Sequence, residues 1–139
     1  MPSSQGLQAP LKNIRVLDLS RVFAMPFAAA NLADLGAEVI KIDTCQTQFM
    51  DTTRTITGPF PGNKPGEYWW EQGGTFQNLN RGKRSLTLDL RSEESQKIIK
   101  ELVGICDVVL ENFTPRAVSY THLRAHETDS YLVCRLLLE

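Results

Sequence analysis

The chain has 139 residues, 42% of them hydrophobic and 22% charged, which suits one ordinary soluble domain or part of one. Fifteen basic residues against sixteen acidic ones leave a net charge of −1, with no long block of one sign, and this disfavours nucleic acid or an anionic membrane as a partner. Three cysteines (Cys45, Cys106, Cys134) without a C-x-x-C pair, no basic-then-apolar leader and no run of about 18 apolar residues lead us to expect a cytoplasmic protein with reduced thiols, no metal and no membrane span.

In chain order, residues 1–10, MPSSQGLQAP, lack any periodicity and are expected to be disordered. Ile14–Leu19, IRVLDL, is an apolar run rich in branched side chains and predicts a buried strand, broken at once by SRVFAMP. Pro26 suits the first turn of a helix through FAAANLADL, which Gly36 would end. Phe27, Asn31 and Asp34 fall on one face of that helix and Ala28, Leu32 and Leu35 on another, so it has a side to bury. Glu38–Ile42, EVIKI, is the next strand. Strand, helix, glycine and strand within about thirty residues is the pattern of a parallel βαβ unit.

From Asp43 to about Gly66 prolines and glycines gather and periodicity lapses, which predicts a long loop with a functional or interface role. EYWWEQGGTFQNL adds a short helix. Ser85–Leu90, SLTLDL, alternates as a strand; Ser92 then caps a helix with Glu93 and Glu94 in its first turn, where the helix dipole favours negative charge. Ile98, Ile99, Leu102 and Val103 form its apolar stripe, and Gly104 can end it. Asp107–Phe113, DVVLENF, is the fourth strand. The fold class expected is α/β: the first half of an open parallel sheet, β-α-β-loop-β-α-β.

Beyond Thr114 the rhythm stops. Val118–Thr128, VSYTHLRAHET, matches the in-frame translation of the transposon end and adapter used in tagmentation libraries, and LVCRLLLE continues that frame after a variable gap of index length. Residues 118–139 are therefore expected to be translated adapter, with no selected place on the sheet, lying loose or as an accidental helix on apolar surface. This stretch holds both histidines, His122 and His126, so neither is expected to carry chemistry. Setting it aside removes Arg124, Arg135, Glu127, Asp129 and Glu139, leaving 13 basic and 13 acidic residues. The remainder is expected to be an N-terminal fragment continuing, in the true protein, beyond Arg116.

No G-x-G-x-x-G follows the first strand, and no P-loop, H-E-x-x-H or G-x-S-x-G occurs. Motifs alone give only an α/β sheet with a ligand at the carboxyl ends of its strands. Four blocks, LKNIRVLDLSRVFAMPFAAANLADLGAEVIKID, NLNRGKRSLTLDLRS, the helix after it and DVVLENFTPRA, together resemble the family III CoA-transferases of CaiB/BaiF type, which include the α-methylacyl-CoA racemases. The resemblance covers residues 11–117.

It implies a Rossmann-like large domain holding coenzyme A, with residues 11–117 as its N-terminal part, a smaller domain later in the chain, and a homodimer of interlocked subunits. It also implies an enzyme that moves CoA from an acyl-CoA to another carboxylic acid through an aspartyl-CoA thioester. The nucleophilic aspartate lies further along than Arg116, so no catalytic residue is expected here and the fragment itself should be inactive. By the same resemblance Phe23 and Ala24 face the nucleotide and thioester region, Leu88, Asp89, Leu90 and Arg91 hold adenine and ribose, and Asn112, Phe113 and Thr114 line the pantetheine arm. Many family members have glutamine at the Phe23 position, glycine at Met25 and arginine at Thr44, and those contacts are not carried over.

Read from the residues alone, Leu88 and Leu90 could equally be sheet residues, Phe113 a core aromatic, Trp69 and Trp70 packing, and Arg81, Lys83 and Arg84 a solvated cluster. Arg91 and Asn112 favour a ligand role because both fall at strand ends. Two other activities stay open: an acyl-CoA racemase of the same family, and a non-catalytic CoA- or nucleotide-binding α/β module.

Overall fold

The computed structural model describes residues 9–44, 46, 50–56, 58–113 and 133–136. Four parallel strands form its centre: β1 (Arg15–Asp18), β2 (Glu38–Asp43), β3 (Arg84–Thr87) and β4 (Val108–Glu111). Their order across the sheet is β3-β2-β1-β4, that of the first half of a doubly wound sheet. Leu17 is level with Ile40 of β2 and with Val109 of β4. Buried parallel strands carry continuous apolar runs because both faces are covered, and RVLD and EVIKID follow that rule apart from the partly exposed Arg15, Glu38 and Asp43 at their ends and one buried charge each, Asp18 and Lys41, discussed below.

Alternate residues feed two separate cores. Val16, Val39 and Leu110 join Met25, Ala29 and Ala37 on one face, while Leu17, Leu19, Ile42, Ile99 and Cys106 pack on the other. Helix α1 (Ala24–Asp34) covers the first face and helix α5 (Glu93–Ile105) the second. The face α1 buries is Met25, Pro26, Ala29 and Ala30, which is neither of the two faces expected; Phe27 and Leu35 are exposed. Two fully buried alanines let the helix axis approach the sheet more closely than a leucine stripe would allow. Helix α1 ends as expected at Gly36, whose φ of 98° belongs to the left-handed region and where an added Cβ would lie 2.3 Å from that of Ala9.

Ser92 caps α5, accepting from the Ser95 amide at 3.2 Å, as its position before two glutamates predicts. Gly104 does not end this helix, which runs one residue further and is capped at Cys106. The long connection between β2 and β3 is less irregular than expected. It holds α2 (Thr52–Ile56), a 3-10 turn at Pro61–Asn63, α3 (Trp69–Gln72) and α4 (Gly74–Leu79), so the one short helix expected over residues 67–79 is two, hinged at Gly73.

Of the residues expected to be disordered at the N-terminus, 1–8 lie outside the described residues, whereas Ala9 lies against Gly36 and accepts from the Lys12 amide at 3.1 Å. Within 118–139, residues 133–136 form neither a loose segment nor a helix. They are β5 (Val133–Leu136), antiparallel to β4 with Val108 opposite Leu136. The physical reason is the open edge of β4, whose unpaired N–H and C=O groups accept any extended partner.

At the amino ends of the strands Glu38 sits between Arg15 (2.7 Å) and Arg84 (2.8 Å). The hydrogen bond from Arg15 is the main reason its carboxyl is held below the ordinary 4.5. A carboxyl with a depressed folded pKa adds stability above its unfolded value and loses it as pH falls through the folded one. We expect Glu38→Gln to flatten the loss of stability as pH falls below about 4.5, read from urea midpoints, with little change near neutrality because all three side chains are partly solvated.

Candidate functional site

From β1 the chain passes to β2 on one side, and β4 lies on the other, so the switch point of the sheet falls between the carboxyl ends of β1 and β4. Open α/β sheets bind ligands in that crevice. The loop that crosses it is Leu19–Phe23, between β1 and α1, and nearly all of its polar backbone is tied down.

Its anchors come from every direction. Asp18, fully buried at the end of β1, accepts from the Ser20 amide at 2.9 Å and from the Ser20 hydroxyl. Lys41 of β2 reaches the Ser20 carbonyl. The Asn112 side chain, just past β4, pairs with both sides of Arg21, accepting from its amide at 2.9 Å and donating to its carbonyl at 2.8 Å. Asp51, 2% exposed, takes the Val22 amide at 3.0 Å with one oxygen and both the amide (2.9 Å) and hydroxyl (2.7 Å) of Thr53 with the other. Val22 itself has φ of 71°, a left-handed conformation that a β-branched residue rarely adopts. Strain of that kind persists only where the surroundings impose it, and it clusters at ligand sites.

Beneath the loop lies Lys83, its side chain 1% exposed. Its ammonium donates to Asp18 Oδ2 (2.8 Å), to the Pro26 carbonyl in the first turn of α1 (2.9 Å) and to Asn80 Oδ1 (3.1 Å), which uses all three of its protons. Burial pulls the Lys83 pKa down from its ordinary value, opposed by the Asp18 carboxylate and reinforced by Lys41. Sequence reading places Lys83 in a cluster that could be solvated and passes over Asp18, Lys41 and Asp51. The available signal is a charged residue inside each of the apolar runs IRVLDL and EVIKI: a buried charge needs a partner.

The described residues expected to face a ligand lie along the carboxyl edge of the sheet, Phe23 and Ala24 after β1, Asn112 and Phe113 after β4, and 88–91 after β3, two strands from the switch point. Phe23, half exposed, and Ala24 begin α1 and line an open, mostly apolar cavity of about 600 Å³ with Phe27, Pro59, Thr75 and Leu79. Leu88, Asp89, Leu90 and Arg91 follow β3. Leu88 and Leu90 lie past the end of β3, outside the ladder, and pack on the core below α5, while Asp89 and Arg91 turn outward. Arg91 donates to both oxygens of Asp89 at 3.1 Å and to Gln46, which also donates to Asp89 at 2.6 Å. These bonds hold the Asp89 carboxyl below its ordinary range, and the Arg91 side chain remains 60% exposed. Thr44, beside this trio, donates its amide to Asp43.

Asn112 spends its amide on Arg21, so the structure gives it the work of closing the crevice between β4 and the loop. Phe113 packs against the second core, and Thr114 lies outside the described residues. Glu111 beside them is a carboxyl that sequence reading misses; burial pushes its pKa up. Among the described residues no cluster of metal-ligating side chains occurs, and no helix is long and apolar enough to cross a membrane.

An open parallel sheet of this strand order with a pinned loop at its switch point is the architecture of the first half of a doubly wound α/β domain. The model of CoA-transferase family III matches residues 11–130, and the chain belongs to that family. It is 40% identical over 120 residues to the human succinyl-CoA:glutarate CoA-transferase, covering 86% of this chain and 25% of that protein. To the succinyl-CoA:mesaconate CoA-transferase of Haloarcula hispanica it is 38% identical, covering 86% of this chain and 30% of the relative. A crystal structure of a CAIB/BAIF family protein from Brucella suis superposes with a TM-score of 0.70 at 38% identity, over 84% of this chain and 29% of that one. The chain thus spans about a quarter of the length of the curated relatives it matches.

Proposed function

We propose that this chain is the N-terminal part of the CoA-binding domain of a CoA-transferase that moves CoA from an acyl-CoA to a second carboxylic acid. The observation that carries this reading is the family match over residues 11–130, with relatives named for transfer from succinyl-CoA. The coarse activity, CoA transfer, belongs to the family; the donor, the acceptor and the covalent route are our extension of it.

In that route an aspartate outside residues 1–116 attacks the thioester carbonyl, giving a mixed anhydride and the free CoA thiolate. The thiolate attacks the enzyme's own carbonyl, which releases the first acid and leaves an aspartyl-CoA thioester. The second acid then takes CoA by the reverse pair of steps. Each step exchanges one acyl bond for another, so neither water nor a metal enters the balance. Residues 11–117 supply a ligand cradle: the pinned loop before α1 for the thioester end, the segment 88–91 for the nucleotide, and residues 112–114 for the arm between them. A cytoplasmic, interlocked homodimer completes the proposal, as does an adapter origin for residues 118–139. The nucleotide sequence decides that origin: adapter bases in frame from about codon 117 uphold it and other codons remove it.

The test is to express the longer gene product, supply succinyl-CoA with glutarate, mesaconate or other carboxylic acids, and follow new acyl-CoA by chromatography. Transfer with a hydroxylamine-sensitive enzyme adduct supports the covalent route; hydrolysis alone, or α-proton exchange without transfer, defeats the reading. In the same protein we expect Arg91→Ala to weaken CoA about tenfold, the loss of one charge-assisted bond to phosphate, with the melting temperature unchanged because its ion pair with Asp89 is exposed.

A further inference from the structure

The chemistry of a ligand site depends on how firmly its loop is held, and one buried cation reaches both ends of the crossing loop. Asp18 is the last residue before Leu19–Phe23 and Pro26 lies in the helical turn after it, yet Lys83 Nζ lies 2.8 Å from the Asp18 carboxylate and 2.9 Å from the Pro26 carbonyl. Its third bond, to Asn80, reaches the residue that ends α4, whose Thr75 and Leu79 line the cavity beside Phe23 and Ala24. An ammonium on a flexible stem can serve three acceptors in three directions, which the planar fork of an arginine could not do in the same space.

We propose that Lys83 is a positioning residue for the ligand site: it clamps the two ends of the β1–α1 loop together and to α4, and so holds Val22 strained and Phe23 and Ala24 facing the crevice. Lys83 does not meet the ligand. Its side chain is buried, all three protons are engaged, and the carboxylate it neutralises is the one that fixes the Ser20 amide. The clamp also explains an arrangement that stability alone would not favour, since a buried ion pair is often replaceable by well-packed apolar residues without loss. This inference rests on the reading of the crevice as a CoA site, and its test separates the two.

Three variants of the full-length protein are compared: Lys83→Met, the double change Asp18→Asn with Lys83→Met, and Ile14→Ala, a residue packed on the core at the amino end of β1 whose carbonyl accepts from the Glu38 amide, at the opposite end of the strand from the loop. The double change removes both buried charges together, while the amide oxygen it introduces at position 18 can still accept from Ser20, so it protects the measurement should Lys83→Met fail to fold. CoA affinity is read by calorimetry, and amide hydrogen exchange is read over residues 19–24. We expect both Lys83 variants to bind CoA about tenfold or more weakly and to exchange faster at residues 19–24, while Ile14→Ala, at a comparable loss of melting temperature, keeps its affinity within about twofold. Equal losses in the Lys83 and Ile14 variants, or unchanged exchange in the loop, would overturn the clamp. If the unaltered protein binds no CoA, the functional reading fails by itself, and the exchange data still decide for or against Lys83.

Discussion

Replacing Arg54 with alanine is expected to destabilise the protein by about 3–5 kcal/mol, the cost of stranding a buried carboxylate. The Arg54 side chain, 9% exposed, pairs with Asp43, itself 10% exposed, at the carboxyl end of β2. Its other nitrogen bonds Glu71 at 2.5 Å and the Trp70 carbonyl at 3.1 Å in α3, and its guanidinium lies 3.6 Å from the ring centroid of Phe76 in α4. One side chain thus joins α2, α3 and α4 to the sheet. Removing it leaves Asp43 with the Thr44 amide and strips Phe76 of a stacked cation worth about 1–2 kcal/mol when desolvated. With a domain stability of about 5–15 kcal/mol, a loss of this size releases the excursion first and brings the whole near its threshold.

Urea denaturation of the full-length protein measures the change, and Arg54→Lys sharpens it. Lysine keeps the charge but loses the fork and the flat stack, so it should recover only part of the loss. A shift below about 1 kcal/mol for Arg54→Ala would show that the pairs are compensated by solvent, as exposed ion pairs are. The functional consequence is open to the same experiment: Pro59, Thr75 and Leu79 of the excursion line the cavity beside Phe23, so a released excursion removes one wall of it.

The contrast between the sheet and this excursion shows where sequence is legible. β1 and β4 fall inside IRVLDL and DVVLENF, and β2 runs one residue past EVIKI to Asp43, because buried parallel strands advertise themselves as apolar runs, and Ser92 and Gly36 are local signals that any helix end must satisfy. The third strand starts one residue earlier and stops three earlier than expected, at Thr87, because Leu88 and Leu90 serve the α5 core rather than the ladder. Helices α2 to α4 are each four to six residues long, too short to show a period, and are held by Arg54 instead of by their own pattern. The buried face of α1 escapes a reading by periodicity because alanine carries almost no amphipathic signal. At the site, positions near strand ends are legible from topology, but the division of labour is not. Nothing local in the chain says that Asn112 pairs with Arg21, 91 residues away, or that Lys83 reaches back to Asp18 across 65 residues.

The largest effect we expect is on activity: the 139-residue chain, expressed as it stands, should transfer no CoA and should melt without a sharp transition. Its relatives are roughly three to three and a half times as long, and the proposed nucleophile lies outside its first 116 residues. Its folding is compromised independently of the missing nucleophile. The sheet has the order of half a doubly wound domain, and the two edges of a parallel sheet are normally covered or continued. On the β4 side the only described cover is the four-residue strand Val133–Leu136, running against the direction of the other four. Such a strand satisfies edge hydrogen bonds but is too short to supply the face that a following strand and helix would bury. Meanwhile Val22, Phe23, Phe27, Tyr68, Trp69 and Ile105 stay 37–59% exposed. At about 25 cal/mol per Å², a few hundred Å² of apolar surface left in water forfeits an amount comparable with the whole stability of a domain. Deleting residues 118–139 tests the tail's share: if they were never selected for this sheet, the deletion should leave thermal melting and size-exclusion behaviour essentially unchanged. A monodisperse, cooperatively melting chain whose stability collapses on that deletion would show instead that β5 is an authentic strand, and measurable CoA transfer by the 139 residues would place the catalytic group within them.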